Sequence, residues 1–320
     1  MELIIKPTGL CNMNCTFCSA ANLDIAHPSK VPNQIKELIQ KLKPNSIIVT
    51  GGEPLTIDPS YYWELLDIAQ CHIGFTSNMK DFYLNPNKWK DIIQHPNFDF
   101  ITSFNYGETR LWDPTTPYSE EMFRKVHKIY TEISNGKSLN FIAVIDKSNE
   151  NTIMDHIYLA KDLNCKVKIN GACKIGRQGI NYPKYKIIKF YLDLIDMGLD
   201  QYEITCCERH LGRCALNTNF MCQSAIRCCY VDHNDKLHYG ICDDLISAGI
   251  EIPMDDTFPL DPKPEIPKLQ DHINNKCVYC DLFRFCHGCI AHREHAKEFP
   301  EHCEEMLKLK DRLIKTGWKL

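Results

Sequence analysis

Strand-like and helix-like segments alternate along about the first 200 residues of this 320-residue chain. Short apolar, β-branched runs predict six strands, near 3–5, 46–50, 72–77, 99–104, 138–145 and 165–170. Apolar residues at helical spacing predict helices near 35–42, 59–69, 87–94, 119–133, 150–163 and 183–196. Six strand–helix units predict an α/β fold with a parallel sheet and right-handed crossovers. They are too few for a closed eight-stranded barrel.

Three cysteines follow the first predicted strand at C-x3-C-x2-C spacing: Cys11, Cys15 and Cys18. Thiolates are soft ligands that suit iron–sulfur clusters or zinc. A closed structural site needs four ligands, so this segment leaves one metal position unfilled. The spacing therefore predicts a metal centre with an open position, where a substrate or cofactor can bind.

The second predicted strand ends at Gly51, Gly52, Glu53 and Pro54. Two glycines at a strand end allow a close approach of the backbone and unusual φ values. The glutamate offers an acceptor for an ammonium group. An ordinary turn between a strand and a helix explains the same four residues, so they indicate a site only together with the cysteines.

The cysteine spacing, with the aromatic Phe17 just before the last cysteine and Gly-Gly-Glu-Pro downstream, resembles the signature of radical S-adenosylmethionine (SAM) enzymes. The resemblance implies that the three cysteines hold a [4Fe–4S] cluster, that SAM chelates its fourth iron, and that residues 51–54 contact the methionyl amine. One-electron reduction then cleaves SAM to a 5′-deoxyadenosyl radical that abstracts a substrate hydrogen. The fold implied is a partial (βα)6 TIM-like barrel over residues 1–200, with its reactive centre at the carboxyl ends of the strands.

Short polar side chains at the predicted strand ends are candidates for SAM contacts, because they hydrogen-bond hydroxyls and carboxylates. The candidates are Ser77, Asn78, Ser103, Asn105, Asn140 and Asn170. Ser103 and Asn105 most resemble the family's ribose-contacting positions, although each candidate also suits a turn. Residues 170–177 resemble the family's N…G-R motif, which makes Arg177 a candidate carboxylate partner or else a surface arginine. The loop 106–118, which contains Arg110 and Trp112, is expected to cover the site.

Twelve of the eighteen cysteines lie between Cys206 and Cys303, where the strand–helix alternation fades. Metal is expected to supply folding energy there. This region resembles the SPASM extension of radical SAM enzymes, which holds two auxiliary [4Fe–4S] clusters through four cysteines each. The resemblance assigns one cluster to Cys222, Cys228, Cys242 and Cys289, and the other to Cys277, Cys280, Cys286 and Cys303. Cys229 competes with Cys228, and the spacing from Cys286 to Cys289 is shorter than in the family.

Zinc is the main alternative, because 277–280 and 286–289 have the C-x2-C spacing of zinc ribbons. Clusters with full cysteine ligation point to electron transfer or structure. Asp243 matches a position at which some relatives carry a carboxylate base. The alternative is that Asp243 belongs to a loop that starts a helix and has no catalytic role. The expected domains are 1–200, a SPASM-like domain at 201–305, and an amphipathic C-terminal helix at 306–320.

The net charge of −4 and the pI of about 6.3 do not favour a nucleic-acid polymer as the partner. The sequence contains no signal peptide and no apolar run that would span a membrane, so we expect a cytoplasmic protein. In a reducing compartment, eighteen cysteines favour metal ligation over disulfides.

The expected function is radical modification of a peptide or protein side chain by crosslinking, oxidation or epimerisation. A flavodoxin or ferredoxin is the expected electron donor, and a separate protein would recognise the peptide, because the chain opens at the first barrel strand. One alternative substrate is a small molecule or nucleobase-derived metabolite. A non-catalytic iron–sulfur or zinc protein is the alternative outside enzymes.

Overall fold

The computed structural model describes residues 2–21, 23–174, 176–177, 179, 181–204, 228–239, 279–282 and 296–315. Strands and helices follow one another in these residues as β1 (Glu2–Ile5), α1 (Asn33–Leu42), β2 (Ser46–Val49), α2 (Pro59–Ala69), β3 (His72–Ser77), α3 (Lys80–Leu84), α4 (Pro86–Gln94), β4 (Phe98–Ser103), α5 (Glu120–Ile133), β5 (Asn140–Ile145), α6 (Ile153–Asp162), β6 (Val167–Gly171), α7 (Lys184–Met197), β7 (Cys228–Val231), β8 (Leu237–Tyr239) and α8 (Glu301–Lys315).

The strands form one sheet in the order β6-β5-β4-β3-β2-β1-β7-β8. All neighbours from β6 to β7 are parallel, and β8 pairs antiparallel with β7. From β1 to β6 the order advances in one direction, as in a barrel, and does not reverse as in a doubly wound sheet. The predicted α/β fold with a mostly parallel sheet is thereby confirmed. Among the described strands, β6 and β8 are the two edges, so the ring is not closed.

Local sequence determines where several helices begin and end. Asp58 caps α2, because its Oδ1 accepts a hydrogen bond from the backbone N–H of Ser60 at 3.0 Å, and Pro59 follows at the first helical position. Ser119 caps α5 in the same way through the N–H of Met122 at 3.2 Å. Gly198 ends α7 with a left-handed φ of 68°.

The hydrophobic core fills the space between the sheet and its helices. On β5, Phe141, Ala143 and Ile145 are fully buried, while Ile142 and Val144 are partly exposed on the opposite face. This alternation follows from the two-residue repeat of a strand. One face of the sheet is thus packed under helices, and the other lines the inside of the partial barrel.

The C-terminal helix α8 packs against α7. Met306, Leu309 and Leu313 are buried, and an ion pair joins Arg312 to Asp196 on α7 at 2.7 Å. The helix begins at Glu301, five residues before the predicted start. No helix in the described ranges combines the length and apolar character that crossing a membrane requires.

Three elements of the fold have no counterpart in the sequence predictions. The short helix α3 follows β3 directly, and the strands β7 and β8 form a hairpin within the cysteine-rich part of the chain. β7 extends the sheet beyond β1, where Ile4 pairs with Cys228 and Ile5 with Cys229. The partial barrel therefore includes a strand from the part of the chain that the sequence assigns to a separate cluster domain.

Candidate active site

The loop that carries Cys11, Cys15 and Cys18 leaves the carboxyl end of β1 and is fixed first by the loop after β2. The N–H of Gly52 donates to the carbonyl of Thr8 at 2.8 Å, and the N–H of Glu53 donates to the carbonyl of Leu10 at 2.7 Å. A Cβ at Gly52 would lie 2.2 Å from the Leu10 oxygen, and Gly51 has a φ of +119°. Only glycine permits this approach, so the two glycines connect the loop to the sheet.

The loop 106–118 runs beside the cysteine loop on another side. The N–H groups of Asn14 and Thr16 donate to the carbonyls of Leu111 and Thr109 at 3.2 and 2.9 Å. Lys80, at the start of α3, donates through Nζ to the carbonyl of Asn12 at 3.0 Å and to that of Trp112. The expectation that residues 106–118 lie at the site agrees with these contacts.

The segment after β6 reaches the cysteine loop from the far side of the barrel. The N–H of Arg177 donates to the carbonyl of Cys18 at 3.0 Å, and its guanidinium donates to the Asn14 side chain and to the carbonyl of Cys15 at 3.2 Å. Gly176 has a φ of +62°, and a Cβ there would lie 2.2 Å from the Cys18 oxygen. Loops from β1, β2, β4 and β6 therefore converge on the three cysteines.

Two nitrogen donors approach the thiol sulfurs from side chains. Asn78 Nδ2 lies 3.7 Å from Cys11 Sγ, and a guanidinium nitrogen of Arg110 lies 3.8 Å from Cys15 Sγ. Arg110 is buried, and Asn105 Oδ1 accepts from its Nε and a terminal nitrogen at 3.2 and 3.1 Å. Burial raises the pKa of the Cys11 thiol to about 11, so a metal that binds there would have to displace the thiol proton.

The donor set fits an iron–sulfur cluster. Cys11 is exposed, and Cys15 and Cys18 are half-buried, so all three thiols are accessible from the same side. An iron–sulfur cluster binds each thiolate at a different iron atom. These cysteines would hold the cluster, leaving one iron for a further ligand.

The thiols open into a cavity of about 720 Å³ inside the partial barrel. Its walls come from the cysteine loop, from residues 50–53, and from the inner faces and carboxyl ends of the strands. Parallel sheets commonly bind their ligands at this edge, and the volume is typical of small-molecule sites. The cavity can therefore hold a cofactor beside the cluster.

Glu53 is buried at the cavity wall and is held by residues of two strand ends. Its carboxylate accepts hydrogen bonds from the hydroxyl of Ser77 at 2.6 Å and from the N–H groups of Asn78 and Leu55 at 2.7 and 2.9 Å. Burial nevertheless raises its pKa to about 7. The carboxylate thus links the loop after β2 to the end of β3.

Comparison with known proteins identifies the domain. Residues 5–160 match the model of the radical SAM superfamily, which covers the cysteine loop and the strands β2 to β5. The chain carries a radical SAM domain. It is therefore a radical SAM enzyme, and the family implies SAM and a [4Fe–4S] cluster. This conclusion replaces the alternative of a non-catalytic iron–sulfur or zinc protein.

A structure of TYW1 with a lysine–pyruvate adduct bound is similar to part of the chain. The match covers 60% of this chain and 70% of that one, with 13% sequence identity and a TM-score of 0.39. A search of curated proteins gave no match.

The radical SAM fold brings most of the predicted SAM-contacting residues to one cavity. Its lining includes Phe17, Gly51, Gly52, Glu53, Ser77, Asn78, Ser103 and Asn170. Pro54 is buried in the turn beside it, and Asn105 is buried behind it, bound to Arg110 and to the backbone of Val144. Arg177 contacts the cysteine loop itself. Their contacts to SAM stay predictions.

Asn140 does not join the others. It is the first residue of β5, and its Oδ1 accepts from the N–H of Lys166 at 2.8 Å, near the beginning of β6. Because the strands are parallel, this position lies at the amino edge of the sheet, opposite the cysteines. The sequence places Asn140 within a strand, but its polar side chain serves the turn into β6.

Most of the predicted auxiliary-cluster ligands lie outside the described residues: Cys222, Cys242, Cys277, Cys286 and Cys289, together with the candidate base Asp243. Cys228 and Cys229 lie on β7 and face opposite ways. Cys228 pairs with Ile4 and lines the cavity, whereas Cys229 pairs with Ile5 and belongs to the hydrophobic core. Cys280 is half-buried, and Cys303 is exposed on α8.

Lys80 and Lys168 contribute to the site but are not among the residues that the sequence predicts for it, and the sequence predicts Arg110 only as a member of the loop 106–118. Arg110 and Lys80 contact the cysteine loop, and Lys168 lines the cavity from β6. Single basic residues in a loop or a helix start carry no motif. For Lys168 a signal is present, because it alternates with the apolar Val167 and Ile169 in a predicted strand.

Proposed function

We propose that this radical SAM enzyme abstracts a hydrogen atom from a substrate bound in the barrel cavity. The observation that carries the proposal is that the three cysteines and the strand ends line one cavity. When bound, the cluster and SAM supply a 5′-deoxyadenosyl radical. The chain's own residues hold the cysteine loop in place, exclude bulk water with the loop 106–118, and present the backbone of Gly51 and Gly52 to the cofactor.

The substrate we propose first is a peptide or protein side chain, which would undergo crosslinking, oxidation or epimerisation. Because SAM and the substrate share about 720 Å³, a folded protein does not fit, but a single side chain of an extended peptide does. The same volume also accommodates the second candidate substrate, a whole small molecule such as a nucleobase-derived metabolite.

We further propose that the cysteine-rich part forms a SPASM-type domain with two auxiliary [4Fe–4S] clusters. The position of Cys228 on the cavity wall supports it over the core residue Cys229 as a ligand. Iron and zinc analysis after anaerobic reconstitution tests this: three clusters require about twelve irons per chain. About four irons together with bound zinc would instead support a zinc domain.

The proposed partners follow from the chemistry. A flavodoxin or ferredoxin would deliver the electron for SAM cleavage, and a separate recognition protein would present a peptide substrate. Asp243 is the proposed base for substrates that are both oxidised and deprotonated.

Deuterium transfer tests the proposed hydrogen abstraction and does not require an identified substrate. Extract from cells grown in heavy water is separated into a small-molecule and a peptide fraction, and each is added to the reduced enzyme with SAM. We expect deuterium in the 5′-deoxyadenosine formed with one fraction, which identifies the substrate class. Unlabelled 5′-deoxyadenosine with both fractions would contradict the proposal.

A further inference from the structure

The side chain of Lys168 lies on the inner face of the barrel. Its neighbours on β6, Val167 and Ile169, are fully buried under the helices, so Lys168 and Asn170 occupy the other face. Across the sheet Lys168 pairs with Ile142, which in turn pairs with Ser103 on β4. Lys168, Ser103 and Asn170 all line the cavity that contains the three cysteines.

An ammonium group at this position is not explained by packing. Other residues that line the cavity from the inner face of the sheet, namely Ile4, Thr76 and Val144, are apolar or small. In the ranges that the structure describes, the ammonium of Lys168 has no hydrogen-bond or ion-pair partner. A charged group inside a cavity loses solvation and normally acquires a counter-charge. An anion that enters the cavity would supply it.

The charges of the cavity wall also favour an anion. Among its described residues, the lining contains Lys6, Arg110, Lys168 and Lys184, and its one acidic residue is Glu53. Both oxygens of Glu53 accept hydrogen bonds, from Ser77, Asn78 and Leu55. In the described lining, basic side chains therefore outnumber acidic ones, whereas the whole chain has a net charge of −4.

We propose that Lys168 binds an anionic group of the substrate, a carboxylate or a phosphate. The inference rests on the proposed function and adds the substrate's chemical class to it. For a peptide substrate the anionic group is an acidic side chain or the C-terminal carboxylate, and for a small molecule it is a carboxylate or phosphate substituent.

Calorimetric titration of the reconstituted, SAM-bound enzyme with inorganic phosphate, and separately with succinate, tests the proposal. We expect at least one anion to bind, and Lys168→Met to weaken that binding about tenfold or more, since one charge-assisted hydrogen bond is lost. Lys168→Arg should retain it. The matched control is Lys161→Met, which removes an exposed lysine on α6 and should change nothing. Phosphate alone binding indicates a phosphorylated substrate, and succinate alone a carboxylate.

Equal anion affinity in the wild type and Lys168→Met would overturn the proposal, as would the failure of both anions to bind the wild type. Loss of SAM affinity by the same factor in Lys168→Met would also overturn it, because Lys168 would then serve the carboxylate of SAM. Lys168→Gln is a second neutral variant if Lys168→Met does not fold. The titration requires no turnover, so a wild type that cleaves no SAM would refute the proposed function separately.

Discussion

Two glycines with nearly the same φ separate the cost of a left-handed residue from the cost of crowding the cysteine loop. Gly176 has a φ of +62° and Gly198 a φ of +68°. A Cβ at Gly198 has no atom within 4 Å, whereas a Cβ at Gly176 lies 2.2 Å from the Cys18 oxygen and 2.7 Å from the Ser19 oxygen. The substitutions Gly176→Ala and Gly198→Ala therefore differ mainly in this contact.

Gly198→Ala should cost about 1 kcal/mol of unfolding free energy, the usual penalty for alanine in this conformation. Gly176→Ala carries the same penalty and also forces the segment after β6 about 0.8 Å away from Cys18, to reach the 3.0 Å at which Cβ contacts begin to occur. Overpacking of this kind costs about 1–3 kcal/mol, and it removes the hydrogen bond from the N–H of Arg177.

The assay measures iron content and reductive SAM cleavage after anaerobic reconstitution, with unfolding by denaturant as the stability control. We expect Gly198→Ala to bind iron and cleave SAM as the wild type does, and Gly176→Ala to lose most of the cleavage and part of the iron. Equal iron and equal cleavage in the two variants would refute the argument that the segment after β6 positions the cysteine loop.

Two further predictions concern buried groups around the loop 106–118. Burial lowers the pKa of His156 to about 4, and its Nε2 accepts from the N–H of Tyr106 at 3.1 Å. Protonation of His156 is disfavoured in the folded state. The unfolding free energy of the wild type should therefore fall by about 2 kcal/mol between pH 8 and pH 5, relative to that of His156→Gln. Parallel pH profiles of unfolding free energy in the two proteins would contradict this. Arg110→Gln removes the donor at Cys15 Sγ, so the cluster should have a lower reduction potential in an electron paramagnetic resonance titration. Lys80→Met, which removes a cation without a thiol contact, should shift the potential less, and equal shifts would argue against the role of Arg110.

Much of the partial barrel is predictable because local sequence patterns determine its strands and helices. The strand positions of β1 to β6 follow from short apolar runs, and the caps Asp58 and Ser119 act on residues only two or three positions away. β7 is not predictable in this way. Its four residues include two cysteines, and the strand beside it, β1, is more than 200 residues earlier in the chain.

The candidate site is predictable where a motif marks it and not where contacts assemble it. The cysteine spacing and Gly-Gly-Glu-Pro identify the centre, since both rest on chemistry within a few residues. Arg110 reaches Cys15 across 95 positions, through a buried contact with Asn105 that no pattern encodes. Asn140 is the opposite case, a predicted site residue that lies away from the site. Strand pairing decides at which edge of the sheet Asn140 lies, and the sequence does not show that pairing.

We infer that Cys11, Cys15 and Cys18 hold the cluster at which SAM is cleaved. The most direct measurement is 5′-deoxyadenosine formation, with iron per chain, in the wild type and in the variant with all three cysteines replaced by alanine. We expect the variant to lose about four irons per chain and all reductive cleavage, while the remaining cysteines keep their metal. Undiminished 5′-deoxyadenosine formation by the variant would refute the assignment of these three cysteines.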